Sequence, residues 1–359
     1  MPINNLINSK ILPTNSLLSV RNISISKTKP ELNKIENIIL DLFKALSQKA
    51  KTFDNNTLTK AKNIIEFTFN KLLTSNNIKN FINNLLSNLS PIRSFLKSIN
   101  VQDKKQTQLI EHVINSLLKD KQLQTIFNAL IEPILSNNNN FDNVKTLSEF
   151  ISQIIIKSGE KIKPAITKII KNLLLDDEIQ TLLLRYIIPQ INTTKTYDSI
   201  NNSAINKIKI LITKLANNLD KFSMYNDLLD SLFTKLSDKS ILNKLLNDDF
   251  LSIGSILKEI FNINQPSQLI KVIDIFSIKD ITAQDYVNVL NVIFNDIGFN
   301  NQQTKQNITN DQKYDINIYF EYLKALVEHN FSELTKTKLK EIVKLFVKDV
   351  MNDDHHNHL

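Results

Sequence analysis

The chain has no cysteine and no tryptophan, and its 359 residues include only 3 glycines and 8 prolines. Each shortage closes a route. Without cysteine there is no disulfide, no thiol nucleophile and no thiolate metal site. The same absence suits a chain that must unfold for export, because nothing in it can become cross-linked. Three glycines cannot furnish the phosphate loops and tight turns of parallel α/β folds. Nor can they supply the hairpins of sandwiches and barrels. Helix bundles and helical solenoids need few. Arginine is almost missing as well: of 44 basic residues only Arg21, Arg93 and Arg185 carry a guanidinium. Base and phosphate recognition leans on that planar fork, and no zinc-finger or RNA-binding signature is present. Nucleic acid is therefore not an expected partner. Long apolar runs are also lacking. Lys, Asn or Asp interrupts every Leu/Ile stretch, and none approaches the ~18 residues of a membrane-spanning helix.

What remains is 42% hydrophobic, enough for a sizeable core. The formal charge is +8 and the pI about 9.2. Lysine, asparagine and isoleucine are abundant and share A/T-rich codons, so much of the basic and amide-rich texture reflects genome composition.

Residues 1–30 read as a flexible basic leader. They hold Lys10, Arg21, Lys27 and Lys29, no acid, and Pro2, Pro13 and Pro30. Their apolar runs are too short for a Sec signal peptide and no small-residue cleavage site follows. Residues 31–299 read as a helical repeat domain, 300–315 (NQQTKQNITNDQKYD with the Asn before it) as a polar linker, 316–351 as a C-terminal helical pair and 352–359 as a frayed His/Asp tail. Helical periodicity opens with Leu32, Ile35, Ile38, Ile39, Leu42 and Phe43, which predicts one buried face. In the last helix Leu339, Ile342, Val343, Phe346, Val347 and Val350 share a face, with Lys340, Lys344 and Lys348 opposite and Ser332 as its expected N-cap.

A degenerate repeat runs through the middle. Leu72–Leu86 (LLTSNNIKNFINNLL), Leu117–Ile131 (LLKDKQLQTIFNALI) and Leu173–Ile187 (LLLDDEIQTLLLRYI) are apolar at positions 1, 2, 7, 10, 11, 14 and 15. The second and third also share Asp120/Asp176, Gln124/Gln180, Thr125/Thr181 and Pro133/Pro189, and Leu232–Leu246 is a weaker fourth copy. Positions 1 and 2 end one helix. Ser75, Asp120 and Asp176 are the expected N-caps of the next, and the prolines stop it. Each unit is a helical hairpin that cannot bury its apolar stripe alone, and stacking would solve that. Equivalence predicts burial of Ile78, Phe81, Ile82 and Leu85, of Leu123, Ile126, Phe127 and Leu130, and of Ile179, Leu182, Leu183 and Tyr186. Lys79, Gln124 and Gln180 should face solvent or the neighbouring turn. Between units lie polar loops, Asn137–Asn140 and Thr193–Asn202.

The chemistry-bearing residues are sparse. There is no nucleophile elbow, zincin or P-loop motif. His112 adjoins Glu111 and His329 adjoins Glu328, but adjacent residues on a helix do not face each other. Asp176–Asp177 and Asp248–Asp249 are carboxylate pairs, and the first reads as acids at a helix start. Asp353, Asp354, His355, His356 and His358 offer metal-ligand types without a rigid frame. Lys161–Lys171 (KIKPAITKIIK) and the final helix are basic and amphipathic, fit for an anionic membrane surface, a groove, or an ordinary helical exterior. Sequons at Asn22, Asn55, Asn192, Asn201, Asn307 and Asn330 are what abundant asparagine produces by chance. No catalytic, cofactor or metal residue is assigned and no cofactor is expected. The layout of leader plus helices is similar in general style to secreted bacterial effectors and toxins.

The sequence thus predicts an all-α protein: irregular helical-hairpin repeats stacked as an α-solenoid-like array or a multi-helix bundle. It predicts a non-enzymatic interaction protein, exported by a non-Sec route and directed at a protein partner. The alternatives are a membrane-active helical toxin, an enzyme with an unrecognised site, and a cytoplasmic location.

Overall fold

The computed structural model describes residues 29–87, 90–187, 203–247, 266–292, 316–329 and 333–357. Among these the architecture is all-α, with no strand. The helices are α1 (Lys29–Lys51), α2 (Asn55–Leu73), α3 (Asn76–Ser87), α4 (Ser90–Ser98), α5 (Asp103–Leu118), α6 (Lys121–Ile131) and α7 (Leu147–Leu174). They continue as α8 (Asp177–Ile187), α9 (Ser203–Asn217), α10 (Ser223–Leu236), α11 (Lys239–Asn247), α12 (Ala283–Asn291), α13 (Ile316–Glu328) and α14 (Glu333–Asn357). Two 3₁₀ segments, Leu219–Lys221 and Pro266–Ser277, join them.

The same turn recurs four times. Helices α2, α5, α7 and α10 each end in a residue with nearly the same backbone: Thr74 (φ −88, ψ −3), Lys119 (−87, −9), Leu175 (−82, −13) and Ser237 (−87, −5). The next residue caps the following helix with its side chain. Ser75 Oγ accepts from the Ile78 N–H, and Asp120 Oδ1 from Gln122. Asp176 Oδ1 accepts from Glu178 and Ile179, and Asp238 Oδ1 from Ser240. Each cap satisfies amides that the first helical turn leaves without partners. The three N-caps expected from sequence are in place. The fourth copy sits three residues later than its sequence alignment, because Asp238, not Lys235, occupies the capping position.

The pairs α2–α3, α5–α6, α7–α8 and α10–α11 touch in order. The first meets the second through α2 on α6 and α3 on α5, the second meets the third through α6 and α5 on α7, and the third meets the fourth through α7 on α10 and α11. Helix α7 is the axis of the molecule, and α1, α8 and α9 also lie against it. Small cores line the array instead of one large one. Leu40, Phe141, Phe150 and Ile154 pack between α1 and α7. Leu96, Leu109 and Ile114 pack between α4 and α5, and Ala129, Ile162, Leu229 and Phe233 join α6, α7 and α10. At the C-terminal end Ile278, Ile281, Tyr286, Leu326 and Leu339 form a core with Leu211 and Leu215 of α9. Helix α14 runs to Asn357, through the stretch read as a frayed tail.

The burial expected of equivalent repeat positions does not hold. Phe81 is 65% exposed. The other described members of the set, including Phe127 and Leu183, are half-buried, and the side chain of Leu85 lies outside the described residues. Leu184 and Ala129, which are not in the set, are the buried apolar residues of α8 and α6. Gln180 is buried, where it donates to the Leu174 carbonyl and to Thr213. Gln124, its counterpart, is half-buried and bonds Asn128 within its own helix. The turns repeat; the neighbours do not, and neighbours decide burial. On α1, too, the buried face is rotated. Leu40, Ser47 and Ala50 point inward, whereas Ile38 and Leu42 are 51% and 65% exposed.

The loop Asn137–Asn140 is a clasp. The buried amide of Asn139 donates to the carbonyls of Ser47, Ile134 and Ser136. Lys44 reaches the Val144 carbonyl and Lys51 pairs with Asp142 at 2.6 Å. These bonds secure the C-terminal half of α1.

Candidate interaction surface

The capping carboxylates reach beyond their own helices. While Oδ1 of Asp120 caps α6, its Oδ2 accepts from Asn172 Nδ2 of α7 at 3.0 Å. While Oδ1 of Asp176 caps α8, its Oδ2 lies 2.7 Å from His112 Nε2 of α5. Glu178 stands 3.8 Å from the same ring nitrogen. His112 therefore partners Asp176 and Glu178, not Glu111, which turns toward Lys79 at 3.9 Å. At the fourth turn, Ser152 of α7 donates to the Ser237 carbonyl. The second, third and fourth pairs are stitched at their turns by polar side chains. No sequence signal links His112 to Asp176; the fold brings α5 beside the turn between α7 and α8.

The other sequence candidates disperse. Asp177 pairs with Lys209 at 2.8 Å, and Lys209 is largely buried. His329 is exposed, and Asp248–Asp249 lie outside the described residues, as do residues 1–28, the sequons at Asn192, Asn201 and Asn307, and Ser332. Helix α14 carries Asp353 to His356 on its last turn, while His358 lies outside. Among the described residues no three His, Asp or Glu side chains lie together as a metal cluster. The basic stretch Lys161–Lys171 is not a free amphipathic face. Ile162, Ala165 and Ile169 are buried in the core, Lys161 pairs with Glu132 at 2.6 Å, and Lys163 pairs with Asp230 at 3.0 Å. The bond to Asp230 raises the Lys163 pKa above its ordinary value. Burial pushes the Tyr186 phenol up to about 12.

Arg185, fully buried, was missed by sequence reasoning. Its guanidinium donates to the carbonyls of Ile99 and Asn100 at 3.0 and 3.4 Å. Those carbonyls belong to a Schellman turn closing α4: Val101 N–H bonds Leu96 O, Asn100 N–H bonds Lys97 O, and Asn100 takes φ 62. The scarce arginine is structural.

Two surface features remain. A cleft of about 780 Å³ opens between the first two pairs, lined by Glu66, Asn70, Asn76, Asn115, Lys121 and Asn128 among others. The second feature is apolar. Of the eleven large apolar side chains that are strongly exposed among the described residues, six (Ile38, Leu42, Ile64, Phe67, Leu72 and Phe81) belong to α1, α2 and α3. Lys71 stands over the Phe67 ring at 5.3 Å. The N-terminal end of the array, unlike the polar outer face of a capping repeat, carries unburied apolar surface. No helix among the described residues is long and apolar enough to cross a membrane.

Compared with known proteins, the chain matches no family model, and no curated protein or solved structure matches it.

Proposed function

We propose that the chain is a non-enzymatic helical interaction protein, an irregular solenoid whose first pairs engage a protein partner. The observation that carries this reading is that six of the eleven strongly exposed large apolar side chains among the described residues belong to α1–α3, with a polar cleft between the first two pairs. Surfaces of this mixed kind mark macromolecular contacts. The basic stretch that favoured a membrane-active helix has its apolar side in the core, which weakens that alternative. The basic, acid-free composition of residues 1–30 supports export of the chain, as an effector or toxin-like factor, by a non-Sec route. The test uses the full chain. Photo-crosslinkers at Phe67 and Phe81 should trap a protein in lysate from a candidate host, and the same crosslinker at exposed Lys168 should not. Dye release from anionic vesicles at comparable protein concentration would instead establish the membrane-active reading.

A further inference from the structure

The cleft between the first two pairs is lined mostly by polar and charged side chains. It is lined by the pair of equivalent turns, through Leu73, Thr74, Leu118 and Lys119. Asn70 and Asn76 from the first pair, and Asn115, Gln124 and Asn128 from the second, also line it. Asn70, Asn76 and Asn115 make no side-chain hydrogen bond among the described residues. Gln124 donates to Asn128 Oδ1 at 2.8 Å, which leaves the Asn128 NH₂ as a donor. Lys119 and Lys121 of the second pair and Glu66 of the first make no ion pair among the described residues, Lys79 of the first pair is turned to Glu111 at 3.9 Å, and Asp120 is committed to its cap and to Asn172.

A side-chain amide offers a donor and an acceptor side by side, which is the pattern of a peptide group. No aromatic ring lines the cleft, so neither a sugar face nor a base has anything to stack on. The absence of arginine there also disfavours phosphate. We infer that this cleft holds an extended segment of polypeptide through its main chain, with an acidic side chain of that segment set against Lys119 and Lys121. This names the contact chemistry of the protein partner proposed above and rests on that reading.

The experiment is selection of a random peptide library displayed on phage against the full-length chain, followed by fluorescence polarisation with the enriched peptides. Enriched sequences should be rich in Asp and Glu. Asn70→Ala with Asn115→Ala should weaken their binding about tenfold or more, the scale of removing two hydrogen-bonding groups. Lys119→Glu with Lys121→Glu should reverse the preference toward Lys-bearing peptides, a gain that loss of folding cannot mimic. Failure to enrich any peptide above an unrelated bait overturns the inference. So does equal binding to the amide double variant, or an unchanged charge preference in the reversal variant. Trapping at Phe67 in the native chain, with no peptide enriched or with enriched peptides that bind the cleft variants equally well, sinks the cleft assignment and leaves the interaction reading standing. Vesicle leakage without trapping sinks the interaction reading itself.

Discussion

Helices α7 and α2 begin and end alike and live differently. Each is entered through a side-chain cap, Thr146 on Glu149 for α7 and Asp54 on Thr57 for α2, and each leaves through the same two-residue turn. Yet α7 buries Phe150, Ile154, Ile162, Ala165 and Ile169, with Phe150 fully enclosed, while α2 buries Leu58 alone. Both are amphipathic in sequence. The difference is that α7 is packed by α1, α5, α6, α8, α9, α10 and α11, whereas α2 packs mainly on α6 and α3. An amphipathic stripe specifies that a helix can be packed, and its place in the stack decides whether it is.

The sharpest test of that contrast compares two phenylalanines. Phe150 stacks on Phe43 at 5.4 Å and meets Phe141 at 4.5 Å. Phe150→Ala should destabilise by about 3–5 kcal/mol in urea titration, the usual range for a buried aromatic. Phe67→Ala, at 63% exposure, should stay within about 0.5 kcal/mol. Similar losses at both sites would mean that α2 is covered in solution.

Next in size are the caps. Asp176→Ala should cost about 1–2 kcal/mol, since both the cap and the contact to His112 are lost. Asp176→Asn keeps an effective cap and loses only the charge facing His112. It should cost less than about 1 kcal/mol, because that contact is partly exposed. A larger penalty for Asn than for Ala would break the assignment of the cap as the main term.

Acid should act at Asp285. Burial would raise its carboxyl pKa, but Lys214 at 2.7 Å and the Thr282 capping box outweigh burial and hold it below the ordinary value. A depressed carboxylate stabilises the fold at all pH values above the unfolded pKa, near 3.9, and that stabilisation is lost as pH falls through the lower folded value. Asp285→Asn should therefore lower the melting temperature at neutral pH and narrow its gap from the native chain in strong acid. A constant gap down to strong acid would refute the linkage.

The smallest effect has the opposite sign. A Cβ at Gly159 of α7 would lie 3.6 Å from the Phe233 ring, an ordinary contact. Gly159→Ala should stabilise by roughly 0.5–1 kcal/mol through helix propensity, and a clear loss would show that α7 and α10 are packed more tightly than that distance implies.

The turns were legible in the sequence because a cap is local: Ser75, Asp120 and Asp176 need only the amides two or three residues ahead. The helix class was legible from scarce glycine and the recurrence of apolar residues at three and four. Burial was not, because Gln124 and Gln180 are the same letter in the same repeat position and differ only in what lies beside them. Helix α9 supplies Thr213 to Gln180, and nothing equivalent reaches Gln124. The polar run Asn137–Asn140 resembles a solvent loop because asparagine is common here, and its bonds to α1 span up to 92 residues of sequence. His112 and Asp176 are 64 residues apart, and a cleft assembled from two turns has no contiguous motif to find.

The two-sided use of Asp120 and Asp176 bears on how the array comes apart. If α7 withdrew, Asp120 would lose Asn172; if α8 unwound, His112 of α5 would lose its acceptor. Neither pair can detach without breaking a polar bond to its neighbour. The middle of the chain should accordingly open as one cooperative block in native-state hydrogen exchange, with amides of α5 to α8 sharing one opening free energy. Helix α2, with no such bond to α5 or α6, should exchange on its own, well before that block.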